Sequence, residues 1–141
     1  MNICASDGRT FIGRFTSRSD LLTSLTDFCK KENIRLGVFS VIGAVTSARL
    51  GYYDQDSKKY VECLNLTHKL EIASCSGNIS LKDSDISVHA HVTLADHEGR
   101  CYGGHLMPGA TIFAAEYYIK ELTGRELHRG HDRETGLCLW Q

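Results

Sequence analysis

The chain has almost no proline and no long apolar run, and each absence excludes something. Pro108 is the only proline in 141 residues. No Gly-, Ser- or charge-rich tract interrupts the sequence and no segment repeats, so nothing marks a linker. A single domain over residues 1–141 is the expectation. The apolar stretches are as short as Val38-Phe39-Ser40-Val41-Ile42-Gly43-Ala44-Val45, and none is long enough to cross a bilayer as a helix. The first ten residues lack a basic segment followed by an apolar one, which excludes a readable export signal there. A cytoplasmic location without a membrane partner is therefore expected.

Charge of one sign is missing too. Sixteen Lys and Arg stand against seventeen Asp and Glu, a net charge of −1, and no basic block exceeds two residues. A domain that grips DNA unaided is usually basic, because its affinity comes from neutralising phosphates. A globally basic face is excluded; a local one is not. Paired cysteine spacing is also absent. The six cysteines, at 4, 29, 63, 75, 101 and 138, form no C-x-x-C, and several lie in apolar segments. Free Cys behaves there as a small buried hydrophobe, so reduced thiols are expected. Cys101, close to several histidines, is the one cysteine worth considering as an extra metal ligand.

What is present reads as one helix and many strands. Leu21, Leu22, Leu25, Phe28 and Cys29 form a single helical stripe, the pattern of a helix lying on another layer. Ser19 is the expected N-cap, and Asp20, Lys30 and Lys31 suit the ends of the helix dipole. Segments 10–16, 36–42, 48–53, 59–66, 70–76, 87–94, 101–106 and 137–140 are short and rich in Val, Ile, Phe, Tyr and Thr, the composition of strands. Residues 111–122 fit a buried strand or a helix equally. The fold class is α+β, with a mostly antiparallel sheet and a helix covering one face.

Four of the seven histidines fall within residues 89–106. Strand alternation over 88–94 points His89 and His91 to one face. Asp96-His97-Glu98-Gly99-Arg100 is a turn signal, with Gly99 placed for a left-handed backbone. An odd-length loop there pairs residues whose numbers sum to 196, which sets His105 opposite His91 on the face of His89. An even loop would send His105 to the other face. Gly103 and Gly104 would clear bulk beside that site or introduce a bulge. Three neutral imidazoles suit Zn²⁺, or another divalent transition metal less selectively, and leave a fourth position open as catalytic sites do. The competing reading is a set of solvated surface histidines.

The run V-H-A-H-V-T-L-A-D-x-x-G-x-x-x-G-G-H-L at 88–106 resembles the signature of prokaryotic members of the "plants and prokaryotes conserved" (PPC) domain family. Gly13-Arg14-Phe15, I-x-x-G-V-F-S-V-I-G-A-V at 34–45, L-G-Y-Y-D at 50–54, L-E-I-A-S-C-S-G-N-I-S at 70–80, G-A-T-I-F-A-A-E at 109–116 and the closing L-C-L-W extend the likeness over residues 9–140. The resemblance implies a mixed sheet of about seven strands with one main helix across its outer face, assembled as a homotrimer. It implies that residues 111–122 are strand, and that His89, His91 and His105 bind a metal, usually zinc. It also carries a DNA-binding association, which in plant members rests on AT-hooks. This chain has none.

Other residues carry weaker readings. Glu116, an acid in an apolar segment, needs a partner if buried and is the candidate general base or the group that orients a liganding imidazole; its bland alternative is an interface glutamate paired with an arginine. Arg14, Arg129 and Arg133 could neutralise an anionic ligand, or be solvated loop arginines. His97 is expected in the turn facing solvent, and His128 and His131 in a polar loop. Gly43 could let the backbone approach a neighbour, or be an ordinary turn glycine. Together these imply a small trimeric metal-binding protein whose histidine centre binds, and in its fuller form transforms, a small polar ligand. A DNA-associated regulator is the alternative, and an assembly module with a purely structural metal the second.

Overall fold

The computed structural model describes residues 2–141. The first strand, β1 (Ala5–Arg14), leads to the helix α1 (Leu21–Lys31). The helix starts one residue later than its sequence suggests. Asp20, not Ser19, is the N-cap: its Oδ1 accepts a hydrogen bond from Thr23 N at 2.8 Å. Its Oδ2 accepts two more, from Gly109 N at 2.7 Å and Ala110 N at 3.0 Å. One carboxylate thus satisfies an orphan helix donor and two loop donors, more than a serine hydroxyl can do. Ser19 turns its hydroxyl to Thr16 O instead. Leu21, Leu25 and Cys29 are fully buried, as the stripe predicts.

Eight strands follow: β2 (Gly37–Asp54), β3 (Lys59–Leu66), β4 (Leu70–Lys82), β5 (Asp85–Ala95), β6 (Cys101–Leu106), β7 (Thr111–Gly124), β8 (His128–His131) and β9 (Cys138–Trp140). The segment open to two readings, residues 111–122, is strand. All pairings are antiparallel except β4 with β8. Segments 36–42 and 48–53, read as two strands, are one long strand, β2, that bends through register shifts at Val41/Gly43 and Ala44/Val45. Gly43 permits this bend. Its φ is +138°, and a Cβ there would stand 2.2 Å from Ala114 O.

The bent strand organises the sheet. Its first half lies between β4 and β7, and its second half pairs β3 and β6. Because β4 also pairs β5 and β5 pairs β6, strands β2, β4, β5 and β6 close on themselves. Val41, Val45, Leu50, Ile72, Ile79, Val92, Leu94 and Leu106 point inward and are buried, and α1 packs its stripe against the same cluster. Phe11, Phe28 and Tyr117 extend it, with the Phe11 and Phe28 rings edge to face at 5.3 Å.

The largest departure lies at the C-terminus. Residues 128–131, read as a polar loop, form β8, which runs parallel to the end of β4 through Leu81↔His128 and Lys82↔Arg129, and β9 pairs back onto it. Four residues of mixed polarity carry no strand signal. The pairing is imposed from outside by burial of Leu127 and by Arg129, which donates to Ser80 Oγ at 2.9 Å and Asn78 Oδ1 at 2.7 Å.

Candidate metal centre

In β5, Ala90, Val92 and Leu94 face the core, so the alternating His89 and His91 face outward. The chain then turns through Asp96–Arg100, with Gly99 at φ +79°. Asp96 N donates to Arg100 O at 3.0 Å and closes the bend. The loop is therefore odd, and the register pairs His91 with His105, Val92 with Gly104 and Thr93 with Gly103. His105 lands on the outward face beside the other two. The ring centroids of His89, His91 and His105 are 5.1–5.5 Å apart, and one nitrogen from each lies within 4.8 Å of the other two.

Asp96 holds this bend. Its Oδ1 accepts from Glu98 N and Arg100 N, and its Oδ2 from Arg100 Nε and Tyr102 Oη, all at 2.9–3.0 Å. Burial pushes the carboxyl pKa upward, but the hydrogen bonds from Arg100, Glu98 N and Tyr102 outweigh it. They hold the group well below the usual carboxylate range.

The imidazoles sit in a partly dry setting. Burial, then the Arg129 guanidinium, lowers the pKa of His89 to about 4. Burial, followed by His91 and Arg129, lowers that of His105. Both rings are therefore neutral at neutral pH, the form that ligates metal. The Tyr60 ring of β3 lies against His105 at 4.6 Å between centroids. Two buried ring nitrogens, His89 Nε2 and His105 Nδ1, have no hydrogen-bond partner. Leaving such an atom unsatisfied costs ~1–3 kcal/mol. A tight trio of imidazoles, two of them with an orphaned nitrogen, fits a divalent transition metal, which bonds imidazole nitrogen at about 2.0–2.1 Å.

The remaining candidates lie elsewhere. Cys101 is exposed at the far end of β6, its Sγ 3.7 Å from Gly99 O, and does not join the histidine group. His97 is exposed in the bend, as expected. His128 and His131 are exposed on β8 and belong to no ligand group among the described residues. Arg14 and Arg133 are exposed. Glu116 is exposed rather than buried, because Ile112, Ala115 and Ile119 take the inward positions of β7. It faces outward between Arg14 on β1 and Ile42 on β2. Three strand spacings, from β7 across β2 and β4 to β5, separate it from the histidine strand. At ~4.8 Å each these place it roughly 14 Å away.

A cavity of about 380 Å³ opens beside the triad, lined by His89, His105, Tyr60 and four cations: Lys58, Lys59, Lys82 and Arg129. Only Arg129 was visible in the sequence as a candidate. Lys58 comes from the β2–β3 turn, Lys59 from the start of β3 and Lys82 from the end of β4, and their approach depends on tertiary pairing that no local pattern encodes.

The fold is shared with solved structures. A metal-containing protein of Archaeoglobus fulgidus superposes with a TM-score of 0.94 at 41% identity, covering 100% of this chain and 99% of that one. A plant- and prokaryote-conserved (PPC) protein of Pyrococcus horikoshii gives 0.94 at 37%, covering 100% and 96%. A Ralstonia eutropha protein provisionally named for DNA binding gives 0.80 at 25%, covering 92% and 89%. Among curated sequences, the chain is 32% identical over 130 residues to a bifunctional protein GlmU of Synechococcus, and spans 20% of that protein's length. The Plants and Prokaryotes Conserved (PCC) domain matches residues 3–123, and the chain belongs to that family.

Proposed function

We propose that this protein binds zinc, or another divalent transition metal, at His89, His91 and His105, and uses that centre to take up a small polar ligand. The convergence of three imidazoles on one outward patch carries the reading. The relative from Archaeoglobus fulgidus, described as metal-containing, supports it. Bound there, the metal supplies Lewis acidity and an open coordination position. The protein supplies the rest: the Asp96 bend fixes the register, and Tyr60 shields one side of His105.

The active form in this proposal is a homotrimer. Ile12, Ile42, Phe113 and Tyr118, on β1, β2 and β7, are 42–80% exposed. Register places Ile12, Ile42 and Tyr118 on the same outward side as the histidines. Such a surface suits burial against a second copy. Glu116 lies within it, so a role as base requires the Glu116 of one subunit to approach the triad of another. Metal analysis of the purified protein tests the central claim. One divalent ion per chain is expected, falling to near zero in His105→Ala with the fold retained; unchanged stoichiometry in that variant overturns it.

DNA association is the second reading, favoured by the name of the Ralstonia relative. The net charge of −1 weighs against it. It requires salt-sensitive retention on duplex DNA at physiological ionic strength.

A further inference from the structure

We infer that the ligand of this centre is a small organic anion, a carboxylate or phosphate ester, held between the metal position and a basic wall. The inference rests on the metal reading above and adds the class of ligand. Its ground is a charge imbalance. Lys58, Lys59, Lys82 and Arg129 line the cavity together with His89 and His105, and no Asp or Glu does. None of the four is ion-paired among the described residues. The chain's other cations are paired in several places, as in Lys30–Asp85 and Lys120–Asp7.

Arg129 makes the case sharpest. Its guanidinium is partly buried beside His89. It donates only to neutral acceptors: Ser80 Oγ at 2.9 Å, Asn78 Oδ1 at 2.7 Å and Cys138 O at 3.1 Å. The Trp140 ring stacks on it at 5.6 Å. A cation withdrawn from water without a counter-charge is costly unless a partner arrives. Lys58 likewise meets only carbonyl oxygens, those of Arg133 and Glu134. Imidazole ligands add no negative charge, so a divalent ion on them deepens the imbalance. An anion with one oxygen toward the metal and the rest toward the lysines removes it. About 380 Å³ of space suits a molecule of a few to a dozen heavy atoms.

Calorimetric titration of the zinc-loaded protein with malonate and with glycerol phosphate tests this, with glycerol and malonamide as uncharged controls. Binding of at least one anion and neither control is expected, and the two arms show which acid group the wall prefers. The double variant Lys59→Gln/Lys82→Gln should weaken the anion by about tenfold, the worth of one or two charge-assisted contacts, at unchanged zinc stoichiometry. Arg129→Gln should weaken it further; because that side chain also ties β8 to β4, the lysine variant is decisive. Equal affinity for anion and uncharged control, or an undiminished anion affinity in the lysine variant, overturns the proposal. So does binding of duplex DNA with no small anion bound. Loss of zinc itself would show as failed metal analysis, so the two failures are distinguishable.

Discussion

The Asp96 carboxylate accepts four hydrogen bonds inside the bend joining β5 to β6, and that bend alone decides which residue faces His91. Asp96→Asn keeps the size of the side chain but replaces one acceptor oxygen with a donor. It leaves Arg100 and Tyr102 competing for what remains. We expect its melting temperature to fall by several degrees and its zinc affinity to drop, with His89, His91 and His105 all intact. The pH dependence has a definite sign. Folding holds this carboxyl below its ordinary value of 3.8, so the stability it confers is full above that value and is lost as pH falls toward the folded one. Thermal melts from pH 5 downward should show a steeper loss in the wild type than in Asp96→Asn. The sequence made the bend legible, through Gly99 and the polar cluster, but not its hub. An aspartate in a turn is common, and only the structure shows four donors converging on it.

At the scale of elements, β6 shows how two adjacent glycines serve different ends. A Cβ at Gly104 would stand 2.8 Å from Gly51 O and 3.3 Å from Leu50 Cβ, because β2 crosses there to close the ring of strands. A Cβ at Gly103 would meet nothing nearer than Val92 O at 3.4 Å. Gly104→Ala should therefore cost ~1–3 kcal/mol, as other forced overpacking does. Gly103→Ala should stay within about 0.5 kcal/mol of wild type. Denaturant melts of the two variants check the contrast; equal destabilisation would place the crowding elsewhere. The same distinction separates what could be read along the chain from what could not. Alternation in β5 and the stripe of α1 are local patterns, and both appear where the residues put them. The continuity of β2 through Gly43, the pairing of β8 on β4 and the approach of Lys58, Lys59 and Lys82 to the triad are contacts between distant segments. No window of sequence contains both partners. Glu116 illustrates the converse: its apolar neighbours suggested burial, but β7 is covered on one side only within a single chain.

Across the whole molecule, the question is whether the proposed metal would hold the fold or merely occupy it. All three candidate ligands lie on two neighbouring strands that a hydrogen-bonded bend already fixes. The main core, from Leu21 and Leu25 to Ile112 and Ile119, lies on the opposite side of those strands. No ligand joins distant parts of the chain, so folding does not depend on the ion as it does in small zinc-nucleated domains. An ion bound as proposed would act as a ligand of the native state and stabilise it by mass action, ~2.7 kcal/mol at a free concentration one hundred times its dissociation constant. Removing it with a chelator should lower the melting temperature by that linkage while leaving the far-ultraviolet spectrum unchanged. The apolar outward surface of β1, β2 and β7 contains none of the histidines, so the sedimenting species should also persist. If chelation instead unfolds the chain or splits the proposed trimer, the metal would be a structural clamp. The basic cavity would then lie beside a joint of that trimer, not beside a site built to receive an anion.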